Sequence, residues 1–170
     1  LLGEFGVGSD VVAEQIHRWS PRRAGPFVRL DCTTGPTSLI EQELFGLPSS
    51  DSTPGRSGIL VAGHGGTVFL DGVFELPDPV QARLQEVLER RALVLGSQEI
   101  PLDFRIITAS HREVNNESER RRIRAELFER LSSTVLRIPP LRARPNEVRL
   151  LLEHFASSYA ARLGTAVPTW

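Results

Sequence analysis

Short apolar runs alternate with amphipathic stretches along the chain. Apolar runs bounded by turn residues predict strands at 27–30, 65–71, 104–109 and 134–138. Stretches with apolar residues three or four apart predict helices at 10–19, 36–45, 79–91, 119–131 and 146–163. Because strands that alternate with helices favour a parallel sheet covered on both faces, the pattern predicts an α/β fold.

The helical spacing also predicts which side chains face inward. The expected inward positions, in chain order, are Val12, Ile16, Trp19, Leu39, Ile40, Leu44, Val80, Leu84, Val87, Leu88, Ile123, Leu127, Leu131, Val148, Leu151, Leu152, Phe155 and Tyr159. Between the second helix and the second strand, residues 46–58 are rich in Ser, Pro, Gly and Asp, which predicts a loop.

Composition narrows the class of protein. A chain of 170 residues with 40% hydrophobic residues and a net charge of −1 suits a globular domain with a sizeable core. No apolar run approaches the roughly 20 residues of a membrane span, so we expect no membrane partner. The single cysteine cannot form an internal disulfide, so we expect a cytoplasmic protein. The chain has no Met and starts just before a glycine-rich motif, which indicates a fragment of a longer protein.

The first ten residues, LLGEFGVGSD, carry the most informative motif. An apolar pair, three glycines and the start of an amphipathic stretch predict a strand end, a tight turn and a helix start, the arrangement that cradles phosphate. The phosphate-binding motif requires a lysine after its last glycine, and here that residue is Ser9. Two interpretations stay open: a descendant of a nucleotide site, or a glycine turn that merely starts a helix. Ser9 or Asp10 can also cap that helix.

Two further polar residues follow predicted strands. Asp71 is the last residue of the predicted strand at 65–71, and His111 comes two residues after the predicted strand at 104–109. Carboxyl ends of parallel strands meet at one edge of a sheet, so both should lie near the glycine-rich turn. A turn-forming role remains the alternative for each. The other histidines show no ligand spacing, and Cys32 fits core packing, so we predict no dedicated metal cluster.

Several stretches then occur in a recognisable order: GEFGVGSD, PFVRLDC, ELFG, GGTVFLDG, RIITASHR, IRAELFERL and RIPPLRAR. Together they resemble the AAA+ ATPase domain of bacterial enhancer-binding proteins, the NtrC-like activators of the sigma-54 polymerase. The resemblance implies a P-loop NTPase-like three-layer sandwich over residues 1–138, with its first strand truncated. Residues 139–170 would then form a linker and the first helix of a helical lid. It also implies ring assembly, ATP hydrolysis and contact with the sigma factor.

The chain departs from that family at its catalytic positions. Ser9 stands where the family has the Walker A lysine, Gly72 replaces the catalytic glutamate, and His111 replaces the sensor asparagine. The sigma-contacting G-A-F-T-G-A motif is absent between Gly46 and Gly58. Any nucleotide contacts that survive would come from Gly3, Glu4, Phe5, Gly6, Val7, Gly8, Ser9 and Asp10. Asp71 would hold Mg²⁺ weakly, through water.

Arg124 and Arg130 match the two arginines of the family's arginine-finger helix. They would complete the active site of a neighbouring subunit. The alternative is a solvated helix face, in which nearby glutamates pair with these arginines four residues apart. The basic run around them alternates with Glu and lacks aromatic residues for base stacking, so it does not indicate nucleic-acid binding.

The combined prediction is a degenerate AAA+ domain of a transcription regulator, acting as a regulatory or assembly module with ATP hydrolysis lost. It would hold no tight cofactor, with ATP, ADP and Mg²⁺ as candidate ligands. Its partners would be copies of itself, AAA+ paralogues or RNA polymerase, and DNA only through a domain outside this chain. One alternative is a working ATPase in which Glu75 replaces the lost glutamate. The other is a sensor of a nucleotide-like ligand.

Overall fold

The structure, a computed structural model, describes residues 1–49, 55–111 and 122–166. The chain forms two compact units, Leu1–Ile138 and Pro139–Trp170. The first contains a parallel sheet and the helices that cover it, and the second contains a long helix after a short turn.

The centre of the first unit is a three-stranded parallel sheet. In chain order the strands are β1 (Phe27–Asp31), β2 (Gly46–Leu47), β3 (Arg56–Ser57), β4 (Thr67–Asp71), β5 (Ala92–Leu95), β6 (Gln98–Pro101) and β7 (Arg105–Ala109). The parallel sheet has the order β1-β4-β7, while β2–β3 and β5–β6 are separate antiparallel pairs. Asp31 pairs with Asp71, and Asp71 with Ala109, so the three parallel strands end side by side.

The sheet continues beyond β7 only as single bridges. Leu2 bridges Ser110 on one side and Arg137 on the other. The strand predicted at 134–138 is therefore wrong, apart from that one bridge. Residues 134–138 pair with the N-terminal segment through Leu2. The Leu2 N–H donates to the Leu136 carbonyl, and the Leu2 carbonyl accepts from the Ile138 N–H.

The helices cover both faces of the sheet. In the first unit they are α1 (Ser9–Arg18), α2 (Thr37–Phe45), α3 (Ile59–Ala62), α4 (Asp78–Arg90) and α5 (Ala125–Leu131), with a 3₁₀ turn at Val73–Glu75. The second unit contains a 3₁₀ turn at Leu141–Ala143 and the helix α6 (Pro145–Leu163). On one face, Ala13 and Ile16 of α1 pack against Phe69 and Ile107. On the other face, side chains of α2 to α5 form the larger core with strand residues such as Leu30, Val68 and Leu70. The predicted three-layer α/β fold is confirmed.

Some predicted inward positions are wrong. Trp19 is 82% exposed because α1 ends at Arg18 and leaves this side chain beyond the last turn. The buried side chains of α1 are Ala13 and His17, and the His17 ring accepts or donates a 2.9 Å hydrogen bond with the Thr67 hydroxyl. Leu39, in the first turn of α2, is also exposed.

Three short elements were not expected from the pattern. The 46–58 segment, predicted as a loop, holds the β2–β3 pair, while residues 50–54 lie outside the described part. The four-residue α3 follows it, and β5 and β6 form a hairpin across Gly96. Such elements are shorter than the window over which hydrophobic periodicity is visible.

The helix predicted at 119–131 is α5, which begins at Ala125 in the described residues. Residues 112–121 lie outside them, so the first part of that prediction is not described. Arg124 has an extended backbone, with φ −60° and ψ 136°, and precedes the helix as its N-cap. Ile123 and Leu127 are buried as predicted.

The second unit buries less than predicted. Of the side chains expected inward on α6, Val148, Leu152, Phe155 and Tyr159 are exposed. Ala160 is the buried residue of the helix. Within the described part of this unit only the Leu141–Ala143 turn accompanies α6, so there is no second layer to cover its apolar side chains. Across the residues that the structure describes, no helix combines the length and apolar character that crossing a bilayer requires.

Candidate functional site

A cleft of about 250 Å³ lies where the strands of the parallel sheet end. It is lined by the glycine-rich loop, by the ends of β1 and β4, and by residues that follow β1 and β7. These residues are Gly3, Glu4, Phe5, Gly6, Gly8, Ser9, Asp10, Arg29, Asp31, Thr33, Asp71, Ser110 and His111. The structure thus brings together the loop, Asp71 and His111. Val7 and Gly72, which were also singled out from the sequence, are not among the lining residues.

Glycines shape the loop for two different reasons. Gly6 and Gly8 have φ of 80° and 89°, and a Cβ at either would meet nothing within 4 Å, so backbone conformation favours glycine there. At Gly3 the reason is space, because a Cβ would lie 2.7 Å from Val7 Cγ2 and 3.0 Å from the Ile138 carbonyl oxygen. Val7 therefore packs under the loop instead of facing the cleft.

Neither Ser9 nor Asp10 caps α1, so the expected capping role is wrong, while a glycine turn that merely starts the helix stays an alternative. Gly8 is the N-cap, Ser9 is the first helical residue, and no side-chain cap bond is present. Without a side-chain acceptor, the first-turn N–H groups and the positive end of the helix dipole are directed at the cleft. The Asp10 carboxylate instead pairs with Arg29, with 3.4 Å between Oδ2 and the guanidinium nitrogen.

Two aspartates at the strand ends have opposite electrostatic environments. Burial, then the charges of Asp31 and Asp10, raise the pKa of Asp71, while Arg29 and His111 oppose that shift. Burial also acts on Asp31, but the Thr33 hydroxyl and backbone N–H donate to its Oδ1 at 2.6 and 2.8 Å. These bonds outweigh burial, and the pKa of Asp31 is lowered.

The carboxylates fit Mg²⁺ only in a limited way. Within the residues that the structure describes, no group of three or more His, Cys, Asp or Glu side chains could hold a metal ion. Mg²⁺ often takes one or two carboxylates and completes its shell with water and phosphate. Asp71 suits that role because a nearby cation would favour its carboxylate form, which burial and the charges of Asp31 and Asp10 disfavour by raising its pKa. Asp71 also does not cap the 3₁₀ turn that follows it.

Gly72 occupies a position where a side chain is doubly disfavoured. Its φ is 72°, a conformation that L-residues rarely adopt. A Cβ built on it would lie 2.4 Å from Thr33 Cγ2. Thr33 cannot rotate away freely, because its hydroxyl is bonded to Asp31. The only sequence signal for Thr33 is its place two residues after an aspartate, where a short polar turn commonly forms.

His111 lies at the edge of the cleft. Phe5, which is 90% exposed, meets its ring edge-on with 6.3 Å between centroids. On the other side, His111 Nε2 lies 4.0 Å from Glu75 Oε1, and the second Glu75 oxygen lies 3.9 Å from Arg122. Glu75 is not among the residues that line the cleft.

Arg124 and Arg130 lie away from this cleft, against α4. The Arg124 guanidinium is 3.3 Å from Asp78 Oδ1, and that of Arg130 is 3.5 Å from Glu89 Oε1. Arg124 is further fixed by Gln81, a buried residue whose side-chain oxygen accepts its backbone N–H at 2.9 Å. Gln81 could have been noticed in the sequence only as a polar residue on the inward face of a helix.

Cys32 is buried at the end of β1. Burial, followed by the charges of Asp31 and Asp71, raises the pKa of its thiol to about 12. The thiolate needed for nucleophilic chemistry is thus scarce at neutral pH.

Known proteins share this fold and this sequence pattern. Residues 1–137 match the family model described as the sigma-54 interaction domain. The DNA-binding transcriptional activator HyfR of Escherichia coli is 38% identical over 98% of this chain and 26% of its own length. The structure of NtrX from Brucella abortus superposes with a TM-score of 0.90 at 30% identity, covering 99% of this chain and 38% of that one. NtrX structures in complex with ADP and with ATP match at TM-scores of 0.87 and 0.86.

A structure with lower sequence identity bears on the fold alone. The P-loop NTPase domain of the sigma-54 transport activator from E. coli superposes with a TM-score of 0.53 at 22% identity, covering 82% of each chain. The chain spans well under half the length of HyfR and NtrX. On the family match and these relatives together, the chain belongs to the sigma-54 interaction domain family, the AAA+ P-loop domains of bacterial sigma-54-dependent transcriptional activators.

Proposed function

We propose that this AAA+ domain is a regulatory or assembly module of a transcription regulator, in which ATP hydrolysis has been lost. One observation carries the proposal: Gly72 has φ 72°, and Thr33 Cγ2 fills the space that a Cβ would need, at 2.4 Å. In the family that the chain resembles, this position holds the glutamate that orients the attacking water. Phosphoryl transfer depends on positioned groups of this kind, so its loss removes most of the rate.

Ser9 adds a second deficit. A lysine at this position would give the β- and γ-phosphates a charge-assisted hydrogen bond, worth about 1.5–3 kcal/mol. The hydroxyl of Ser9 lines the cleft but carries no charge. Loss of both the ammonium and the carboxylate affects phosphate binding and water activation separately, so restoring one of them would not restore turnover.

The ligand class that fits the cleft is a nucleoside di- or triphosphate. The related NtrX structures in complex with ADP and ATP support this assignment. Asp71 would hold an accompanying Mg²⁺ through water, and the ion would neutralise charge on the phosphates. The backbone N–H groups in the first turn of α1 would donate hydrogen bonds to the same phosphates.

Hydrolysis is tested by phosphate release from the purified chain with ATP and Mg²⁺. We expect no release above background. The triple variant Ser9→Lys, Thr33→Ala, Gly72→Glu restores the missing groups and makes room for the glutamate, so it should gain measurable turnover. Rapid Mg²⁺-dependent release by the unmodified chain, abolished by Asp71→Ala, would overturn the proposal.

A second candidate, an active ATPase, has one observation in its favour. Glu75 approaches His111, which lines the cleft, to within 4.0 Å. In that case Glu75 acts through His111 to orient water in place of the lost glutamate. If any turnover is found, Glu75→Gln should abolish it, and unchanged turnover in this variant removes the candidate.

The assembly role centres on Arg124 and Arg130. Neither lines the cleft of its own chain, and each pairs with an acid of α4 while remaining partly exposed. Exposed pairs of this kind contribute about 0–1 kcal/mol, so release from Asp78 and Glu89 costs little. The arginines would then be free to reach the active site of a co-assembled copy or AAA+ paralogue. The alternative, a solvated helix face, keeps them paired within the chain.

Mixed assemblies distinguish these interpretations. The chain is added to an active AAA+ paralogue, and ATP hydrolysis by that paralogue is followed. We expect Arg124→Ala to lower the rate of the mixture, since a finger supplied in trans contributes about 10³–10⁵ in rate. An unchanged rate with the same amount of co-assembled chain would show that Arg124 is only a surface residue.

Other partners follow from the family. Contact with RNA polymerase is proposed, but not through a G-A-F-T-G-A motif, since residues 46–58 lack it. Regulation would run through the housekeeping polymerase or through occupancy of a partner. DNA would be bound by a domain outside this chain. We propose that the protein acts in the cytoplasm.

A further inference from the structure

The chain contains no lysine at all. Each of its 20 basic residues is an arginine. A permanently charged side chain of this chain that meets a phosphate is therefore a guanidinium. Among the described residues that line the cleft, Arg29 is the one arginine.

Arg29 reaches the cleft from the neighbouring strand. On β1, side chains two residues apart point to the same face of the sheet, and Phe27 packs on the face that α1 covers. Arg29 is two residues further along, so it is directed toward the start of α1. Its guanidinium lies 3.4 Å from Asp10, the residue next to Ser9. A cation thus stands one residue from the position where the family has its lysine.

The contact that holds Arg29 is weak. The 3.4 Å separation is long for a charge-assisted hydrogen bond, and the two side chains are 58% and 46% exposed. An exposed pair of this kind is released at little cost. A guanidinium matches the geometry of phosphate oxygens with two parallel N–H groups, so a phosphate in the cleft competes well with a single Asp10 oxygen.

The electrostatics of the cleft agree with this position. The charge of Arg29 opposes the rise in the pKa of Asp71 and contributes to the lowered pKa of Asp31. Its field therefore extends across the cleft from β1 to the end of β4.

We propose that Arg29 supplies the cation for phosphate in this cleft, so that the domain binds nucleoside di- and triphosphates without a Walker lysine. The inference rests on the proposed function, because a cleft that has lost hydrolysis retains ligand binding as its role. The bound nucleotide then acts as a signal instead of a substrate.

The test measures binding of ADP and of Mg²⁺–ATP to the 170-residue chain by calorimetry. Arg29→Ala should weaken binding of both about 10- to 100-fold, the value of a charge-assisted hydrogen bond. Adenosine, which lacks phosphate, should bind the variant and the unmodified chain equally. Arg18→Ala is the matched control, because Arg18 is 62% exposed and paired with Glu14 on α1 but lies outside the cleft.

Rescue separates a direct phosphate contact from a structural effect. Adding Ser9→Lys to Arg29→Ala should restore most of the lost affinity, whereas Ser9→Lys alone should gain less than it gains in the Arg29→Ala background. Melting temperatures of all variants, measured without nucleotide, should stay within a few degrees of each other.

Two outcomes would overturn the inference. One is equal affinity of Arg29→Ala and Arg18→Ala for ADP, and the other is no binding of any nucleotide by the unmodified chain at millimolar concentration. Both leave the absence of hydrolysis intact. Conversely, phosphate release by the unmodified chain would refute the proposed function while the binding series still decides the role of Arg29.

Discussion

A polar side chain is buried and fully hydrogen-bonded at the contact between α4 and α5, whereas in the cleft polar side chains are exposed and weakly paired. At the α4–α5 contact, Gln81 is 2% exposed and makes three hydrogen bonds to the backbone. In the cleft, by contrast, Arg29 and Asp10 are about half exposed and 3.4 Å apart. A buried polar group keeps its position because moving it would leave its hydrogen-bond partners unsatisfied. A group that faces an open cleft can exchange its partner for solvent, so its position is less restricted.

Under the proposed loss of hydrolysis, this difference would explain how catalytic groups are replaced while the fold persists. Ser9 lines the open cleft and Gly72 has no side chain, so neither residue buries a polar side chain without a partner. Replacing Gln81 would remove one hydrogen-bond partner from each of two carbonyl groups and one N–H group. The residue type at Gln81, which holds the Arg124 backbone, is therefore more tightly constrained than the residue types that line the cleft.

The largest expected effect comes from Gln81→Leu. It keeps the apolar volume but removes the bonds to the Leu76 and Arg122 carbonyl oxygens, at 2.7 Å each, and to the Arg124 N–H. We expect a loss of about 3 kcal/mol in the free energy of unfolding, measured by urea denaturation. Gln85→Leu is the control on the same helix, since among the described residues the Gln85 amide donates to the Glu89 side chain and not to the backbone. Equal losses in both variants would contradict the special role of Gln81.

A smaller loss is expected from Gly72→Glu. The left-handed backbone conformation and the 2.4 Å approach to Thr33 Cγ2 together should cost about 2 kcal/mol. Thr33→Ala removes the colliding methyl group, so the double variant should be more stable than the sum of the two single changes predicts. Additive losses in a denaturation cycle would show that Thr33 does not restrict this position.

The smallest effect is a gain from Asp71→Asn, with a defined pH dependence. Because the pKa of Asp71 is raised in the folded state, its ionisation opposes folding above that pKa and has no effect below its ordinary value of 3.8. Removing the charge should therefore raise the melting temperature at pH 7 but not at pH 3. The gain should stay below about 1 kcal/mol, because the side chain is only half-buried.

Asp31→Asn supplies the matched comparison with the opposite sign. The pKa of Asp31 is lowered by Thr33, so its charge contributes stability at neutral pH that is lost as pH falls through the folded-state pKa. Asp31→Asn should thus lower the melting temperature at pH 7. The same direction of change for both aspartates would contradict the environments described for them.

Local patterns in the sequence determined the architecture of the first unit. The alternation of apolar runs with helical periodicity predicted α1, α2, α4 and the parallel strands, because burying one face of each element requires that pattern. Gly6, Gly8 and Asp71 could be placed at one edge of a sheet, since the ends of parallel strands meet there. At β5–β6 the signal was too short to predict the element type. On α6 the helix was predicted, but the burial of its side chains was not.

Tertiary structure alone decided the residues that act across the chain. Arg29, Thr33 and Gln81 belong to elements far in sequence from the groups they meet in the cleft or at Arg124. Which side chain fills the space above Gly72, and which cation stands beside Ser9, depends on the register of β1 against β4 and on the start of α1. The sequence gives the type of each residue, but these side chains come into contact only because the folded sheet fixes the distances between them.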